Sequence, residues 1–391
     1  MRVLVVNSGS STLKLTLLSG EDDVLGHREL DTPKGTVETR ALEAALGAAL
    51  LGDLAGAQAV AHRIVHGGER FHEAVLIDAK VRGALADLVE LSPHQPRGLG
   101  ALESVGDALP ELPQIACFDT AFHAEMPSAA ATYALPQRWR KRWGVRRYGF
   151  HGLSHAWIAR RAPQLLSTDA GAGQTRRKVK TSTRANEQGE NDGLRIVSAH
   201  LGAGASVCAI RGGRSLDTTM GFTPLDGLVM ATRSGSLDPA LVLWLLKRPG
   251  LDARELEQTL EHSSGLLALG GSADMRVLLE RAGEGDAEAQ LAIDVYIHRL
   301  RGGIAAMAAA LGGLDVLTFT GGVGQSSSTI RHMATAGLGF LGVEIDEESN
   351  TSGEGDRDIS AEGATASTLA IAAREDLEMA RHVRALLQEG D

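Results

Sequence analysis

The stretch Val3-Leu4-Val5-Val6-Asn7-Ser8-Gly9-Ser10-Ser11-Thr12-Leu13-Lys14-Leu15-Thr16-Leu17 decides the fold. Its first part is a β-branched apolar run and its last part alternates Leu with polar residues, so two strands flank a hydroxyl-rich turn. The pattern returns half a chain later as Ile196–Ala199, the turn His200-Leu201-Gly202-Ala203-Gly204-Ala205-Ser206, and Val207–Ile210. A strand, small-residue turn and strand repeated at that distance fits two similar α/β domains facing one another. Further on, Ile293, Ile297, Leu300, Ile304, Met307 and Leu311 form one apolar stripe of a helix. The strand Val316–Thr320 follows, with a third glycine turn, Gly321-Gly322-Val323-Gly324-Gln325. Thr368–Ala372 reads as a short strand and Glu375–Leu387 as a closing amphipathic helix. Residues 167–193 carry almost no large apolar side chains and read as a solvated surface insertion.

Composition bounds the class. The 391 residues favour two domains over one. Lys+Arg 39 against Asp+Glu 49 gives a net charge of −10, which argues against nucleic acid or an anionic membrane as the main partner. Glycine is in surplus, 47 residues, without the period of collagen, so many tight turns are expected. Cys117 and Cys208 alone exclude a disulfide framework and fit a reducing cytoplasm. The apolar run after Met1 ends too soon for a signal-peptide core, and no run of 18 apolar residues spans a membrane.

The glycine turns invite a nucleotide, but not the commonest kinds. Asn7–Thr12 lacks the Gly-Lys of a Walker loop and runs into a strand, and Gly202-Ala203-Gly204 is followed by a strand where a dinucleotide fold has a helix. Turns of Ser, Thr and Gly still let backbone N–H groups approach phosphate. In His62-Arg63-Ile64-Val65-His66 strand alternation puts Arg63 and Val65 on one face, which suits a ligand with an anionic end and a short apolar end. Arg233, in Thr232-Arg233-Ser234-Gly235, is a second arginine amid small polar residues. The pairs His62/His66 and His151/His155 have i,i+4 spacing without the Glu of a zinc protease. Gly152-Leu153-Ser154-His155-Ala156 is close to a nucleophile elbow, which keeps a serine hydrolase acting through Ser154 as an alternative.

Eight segments in one order resemble the signatures of acetate kinases. They are Asn7–Lys14, His62–Glu69, Phe118–His123, Arg147–Gly152, His200–Gly202, Asp217–Pro224, Thr232–Gly235 and Ser272–Arg276, and the resemblance covers nearly the whole chain. It implies two ribonuclease H-like domains of the actin-like ATPase type, with an interdomain active-site cleft. Residues 1–120 with 376–391 would form one domain and 121–375 the other. It also implies reversible phosphoryl transfer from ATP to acetate, giving acetyl phosphate and ADP with Mg²⁺, or Mn²⁺ in its place, in a cytoplasmic homodimer.

Residue by residue, the resemblance makes Arg63 and Arg233 the catalytic arginines, His151 the transition-state donor and Asp119 the orienting carboxylate. Asn7 and Glu375 would hold the metal, and Val65, Phe150 and Pro224 would wall the substrate methyl. Lys14, His200, Gly202, Gly204, Asp274, Met275, Arg276, Gly322 and Gly324 would serve the nucleotide. Departures from the family pattern are Ala203 for Asn, Val323 and Gln325-Ser326 in the adenine-side turn, Ser236 for Asp, and the segment Leu91–Pro96, one residue short and lacking a pocket Leu. They leave open propionate as substrate, pyrophosphate as donor, or a nucleotide sensor without turnover.

Overall fold

The computed structural model describes residues 1–8, 12–31, 55–88, 95–169 and 193–388. The chain divides into two compact units, one of residues 1–124, 150–157 and 374–391 and one of residues 125–149 and 158–373.

In the first unit, strands β1 (Val3–Ser8), β2 (Thr12–Leu18), β3 (Val24–Asp31), β4 (Ala59–Ile64), β5 (Val75–Leu76) and β6 (Gln114–Phe118) form one sheet in the order β3-β2-β1-β4-β6-β5. In the second, β7 (Arg195–Leu201), β8 (Ala205–Arg211), β9 (Arg214–Thr218), β10 (Val316–Thr320), β11 (Arg357–Asp358) and β12 (Ser367–Ala370) form another in the order β11-β12-β10-β7-β8-β9. Read from the opposite edge, the second order is that of the first. In both, three antiparallel strands are followed by two that run parallel to the first, and a two-residue edge strand lies antiparallel to the last. The duplication legible in the two hairpins therefore extends to the whole sheet.

Strand alternation explains how each face of the first sheet is covered. Leu4, Val6, Leu13, Leu15 and Leu17 pack with Ala101 and Val105 of the helix Gln95–Ala108. Val3, Val5, Ala59, Ala61, Ile115 and Cys117 face the other way and meet Leu153 and the closing helix Glu375–Gln388 through Leu377, Met379, Ala380 and Val383. Burying each large side chain contributes about 1.5–3 kcal/mol, enough for Leu377, Met379 and Val383 together to fix where this helix begins. In the second unit the stripe Ile293, Ile297, Leu300, Ile304, Met307 and Leu311 is buried in the helix Ala287–Leu311, which packs on β7, β8 and β9.

Three local expectations need correction. Gly321–Gln325 is no free turn, because Gly321–Ser326 continues β10 as a short helix. β4 ends at Ile64, so Val65 lies just beyond the strand, half-buried. The elbow reading fails: no strand precedes Gly152, which opens the helix Gly152–Asp169, and Ser154 is fully buried. The turn residues 9–11, residues 91–94 and most of the surface insertion lie outside the described residues.

Candidate active site

Three parallel strands of the first sheet, β1, β4 and β6, are in register through Val6 with His62 and Arg63 with Cys117. Their carboxyl ends carry Asn7, Arg63 and Asp119, the position where open α/β sheets bind ligands. The Arg63 Nε donates to both Asp119 oxygens, at 3.2 and 3.1 Å, and Nη2 donates to Oδ2 at 2.7 Å. Nη1 donates to Asn7 Oδ1 at 3.1 Å and lies 3.7 Å from Glu375 Oε2. Asn7 Nδ2 closes the ring on the same Glu375 oxygen at 3.1 Å. Glu375 is the first residue of the closing helix, so the packing that seats this helix delivers its carboxylate.

Two carboxylates share one guanidinium here. Burial works against the charge of Arg63, yet Asp119 and Glu375 hold its pKa above the ordinary value. Burial also raises the Asp119 carboxyl, against the pull of Arg63. Among the described residues Nη1 and Nη2 of Arg63 each make one hydrogen bond, which leaves each a second N–H for a ligand. Among the described residues no group of three His, Cys, Asp or Glu side chains gathers to hold a metal. Mg²⁺ needs no such cage, because it binds one or two carboxylates and fills its octahedron with water and substrate phosphates. The Glu375 carboxylate and the amide oxygen of Asn7 beside it therefore fit that ion.

His151 stands beside this cluster in an unusual backbone state, at φ 55°. The next residue, Gly152, donates its N–H to the Asp119 carbonyl at 2.8 Å, so His151 is anchored to the strand end that carries Asp119. Phe150 is buried against the His66 ring at 5.4 Å, and its carbonyl meets His123 Nε2 at 3.0 Å. Lys14 is the cross-strand partner of Asn7, half-exposed, with Nζ 3.7 Å from Glu29.

The second unit gathers the other residues into three places. Arg233 Nη1 donates to the carbonyl of the buried Pro224 at 3.2 Å. Its loop is tied to the helix Ala253–His262 by Thr232 Oγ1 to Glu261 O at 2.9 Å and Ser234 N to Leu260 O at 3.1 Å. Burial lowers the Arg233 pKa, opposed by the Glu261 carboxylate. His200, Gly202, Gly204 and Gly322 converge: a Cβ on Gly202 would sit 3.4 Å from Gly204 O, 3.7 Å from His200 Nε2 and 4.0 Å from Gly322 N. Gly324, two residues on, is buried against Leu201. Asp274 and Arg276 form an exposed pair at 2.6 Å at the start of the helix Met275–Gly283, and Met275 is buried beneath them. That ion pair holds the Asp274 pKa at about 2, through the side-chain bonds from Arg276.

Residues to which the sequence reading gave no site role also shape these places. Gly152 is one, and Arg147 is another: its Nη1 donates to the carbonyls of Thr218, Thr219 and Met220 at 2.9–3.2 Å. Ser236 accepts from Gly227 N at 3.0 Å and donates to Asp226 at 2.5 Å, so the hydroxyl holds a turn. No local pattern sets these residues apart from ordinary loop residues.

Two imidazoles of the first unit make its stability pH-dependent. Burial pushes both His62 and His123 down to about 4, against partial support from Gln114 and the Phe150 carbonyl. The unfolded chain titrates these rings near 6.5, so between those values it binds more protons and stability falls as pH falls. The loss is complete below about 4, and each ring accounts for roughly 3 kcal/mol. Denaturant midpoints at pH 7 and pH 5 should differ, and His123→Asn should flatten the dependence. An unchanged slope in that variant would exclude His123 as a source.

Two topologically matched α/β sheets, each with charged or glycine-rich groups at strand ends, define a protein built to handle anions. Residues 28–381 match the acetokinase family, and the chain belongs to that family. It is 40% identical to the acetate kinase of Deinococcus deserti, with all of both chains covered. Among solved structures, acetate kinase from Porphyromonas gingivalis superposes with a TM-score of 0.83 at 33% identity, covering 99% of each chain. A propionate kinase from Francisella tularensis gives 0.85 at 31% identity, over 97% of this chain and 98% of that one.

Proposed function

We propose that the chain catalyses reversible phosphoryl transfer between ATP and acetate, giving acetyl phosphate and ADP. Family membership supports the reaction, and the partly buried cluster of Asn7, Arg63, Asp119 and Glu375 is the observation that carries it. A carboxylate acceptor is already ionised at neutral pH, so no residue has to deprotonate it. Transfer instead requires cations and donors held where charge spreads over the equatorial oxygens. The free N–H groups of Arg63, oriented by Asp119, bind the carboxylate and the transferring group. Arg233, held by Pro224, supplies a second guanidinium, and His151 donates to an equatorial oxygen.

Asn7 and Glu375 would hold Mg²⁺, which when bound neutralises phosphate charge. Asn7 Oδ1 accepts from Arg63 and its amide nitrogen faces Glu375, so the amide must turn to offer its oxygen beside that carboxylate. Val65, Phe150 and Pro224 wall the methyl of the acceptor. His200, Gly202, Gly204, Gly322 and Gly324 take the phosphates and nucleoside together with Asp274, Met275 and Arg276, while Lys14 serves the phosphates from beside Asn7.

A hydroxamate assay with acetate, propionate and butyrate, and with ATP or pyrophosphate, tests the reading. Acetate with ATP and Mg²⁺ is expected to turn over fastest, with propionate slower, since one methylene is worth only about 1–3 kcal/mol in such a pocket. No acyl phosphate under any combination would overturn it.

A cytoplasmic homodimer completes the proposal. The free, buried Cys117 and Cys208 support a reducing setting. The helix Pro239–Leu245 leaves Leu241, Leu243 and Trp244 41%, 60% and 51% exposed, an apolar surface that a second copy would cover. A light-scattering mass of one chain would exclude the dimer. Among the described residues no helix is long and apolar enough to cross a membrane.

A further inference from the structure

The largest fully buried side chain among the described residues is charged. Arg331, on the helix Ser328–Thr335, is 1% exposed. Its Nη1 donates to the Gly324 and Gln325 carbonyls at 2.9 and 2.6 Å. Nε donates to Asn350 Oδ1 at 2.8 Å and Nη2 to Asn350 O at 2.7 Å. Every acceptor is neutral, and no carboxylate of the described residues pairs with this guanidinium. Burial, with the nearby charge of Arg357, pushes its pKa down to about 10.

Burying a cation without a counter-ion is unfavourable, and an apolar side chain of the same volume would pack there at less cost. What an apolar residue cannot do is bind three chain segments at once. The planar fork of arginine presents five donors in fixed directions. Two of its bonds satisfy carbonyls in the last turn of Gly321–Ser326, which have no partner further along so short a helix. At the other end of that helix lies Gly322, whose nitrogen is beside the Gly202–Gly204 turn. The helix is thus held at one end by β10 and at the other by Arg331.

We propose that Arg331 is a positioning residue for the nucleotide, acting through the Gly324 and Gln325 carbonyls to hold the Gly321–Ser326 segment against the Gly202–Gly204 turn. The inference rests on the proposed kinase reading, in which those glycines face ATP. It predicts selectivity: loss of the fork weakens nucleotide binding and leaves the carboxylate acceptor largely unaffected, because the bonds of Arg331 go to Gly324, Gln325 and Asn350 and to none of the residues proposed for the acceptor.

In the full-length protein, Arg331→Gln is expected to raise KM for ATP, and Kd for ADP by calorimetry, at least about tenfold, with KM for acetate changed by less than about twofold. Arg331→Lys keeps the charge but not the fork and should fall between. A lowered Tm with nucleotide constants unchanged would make the role purely structural and overturn the proposal, as would an equal rise in both KM values. Should Arg331→Gln fail to fold, Arg331→Lys and Asn350→Ala decide: both must raise KM for ATP selectively, and unchanged values in both overturn it. If the unmutated protein forms no acyl phosphate from ATP, the kinase reading fails. The ADP titrations then still decide for or against Arg331, since they require no turnover.

Discussion

Replacing Arg63 by Ala is expected to lower kcat by at least about a hundredfold, the scale of losing one preorganised transition-state donor. The same change should destabilise the first unit. Asp119 is 2% exposed on its side chain and takes three of its hydrogen bonds from Arg63. Removing the guanidinium strands a buried carboxylate, which costs roughly 3–5 kcal/mol unless the group takes up a proton. The two effects separate in the double variant Arg63→Ala with Asp119→Asn. It should recover much of the lost Tm and none of the lost kcat. Arg233→Ala should lower kcat on the same scale. If either single variant changed only KM, its role in the transition state would be refuted.

The second large effect is expected from one methyl group at Gly152. A Cβ there would lie 2.1 Å from the Asp119 carbonyl oxygen and 3.0 Å from Phe122 Cβ. The obstacle is backbone and cannot swing aside, so Gly152→Ala must push apart the segments carrying Asp119 and His151. We expect at least a tenfold loss of kcat, about 1.4 kcal/mol or more in the barrier, together with a lower Tm. Gly100→Ala is the control. It lies in the helix Gln95–Ala108 with nothing within 4 Å of an added Cβ. It should be neutral or stabilising by about 0.5–1 kcal/mol, because helical alanine is favoured over glycine. Near-normal kcat in Gly152→Ala would show that the Asp119–His151 spacing is not critical.

The sequence carried the sheets well because their signals are local. β1, β2, β7, β8 and β10 are apolar or alternating runs, each next to small residues in the sequence. The two-residue strands β5 and β11 have no such signal, since tertiary pairing alone makes them strands. The short helix Gly321–Ser326 was misleading for a related reason: three glycines in four residues argue against a helix, and long-range contacts overrule that preference. Within the candidate site, Arg63 was legible as a charge in an otherwise apolar strand. Glu375 was not legible from local pattern, because it resembles any acidic residue in a first helical turn and its place is fixed by the packing of Leu377, Met379 and Val383. The roles of Gly152 and Arg331 were silent, as what matters is the backbone that faces them in the fold.

The closing helix also orders events on the ribosome. The strands of the first sheet are all synthesised by Phe118, but the helix covering Val3, Val5, Ala59 and Ile115 begins only at Glu375. At about 5–20 residues per second, that apolar face waits on the order of 10–50 s for its cover while the second unit emerges. A nascent chain stalled in that interval would display a sticky, half-clad sheet to chaperones. It would also lack a carboxylate that the proposed chemistry requires, so catalytic competence would arise only once Glu375 and its helix have been made.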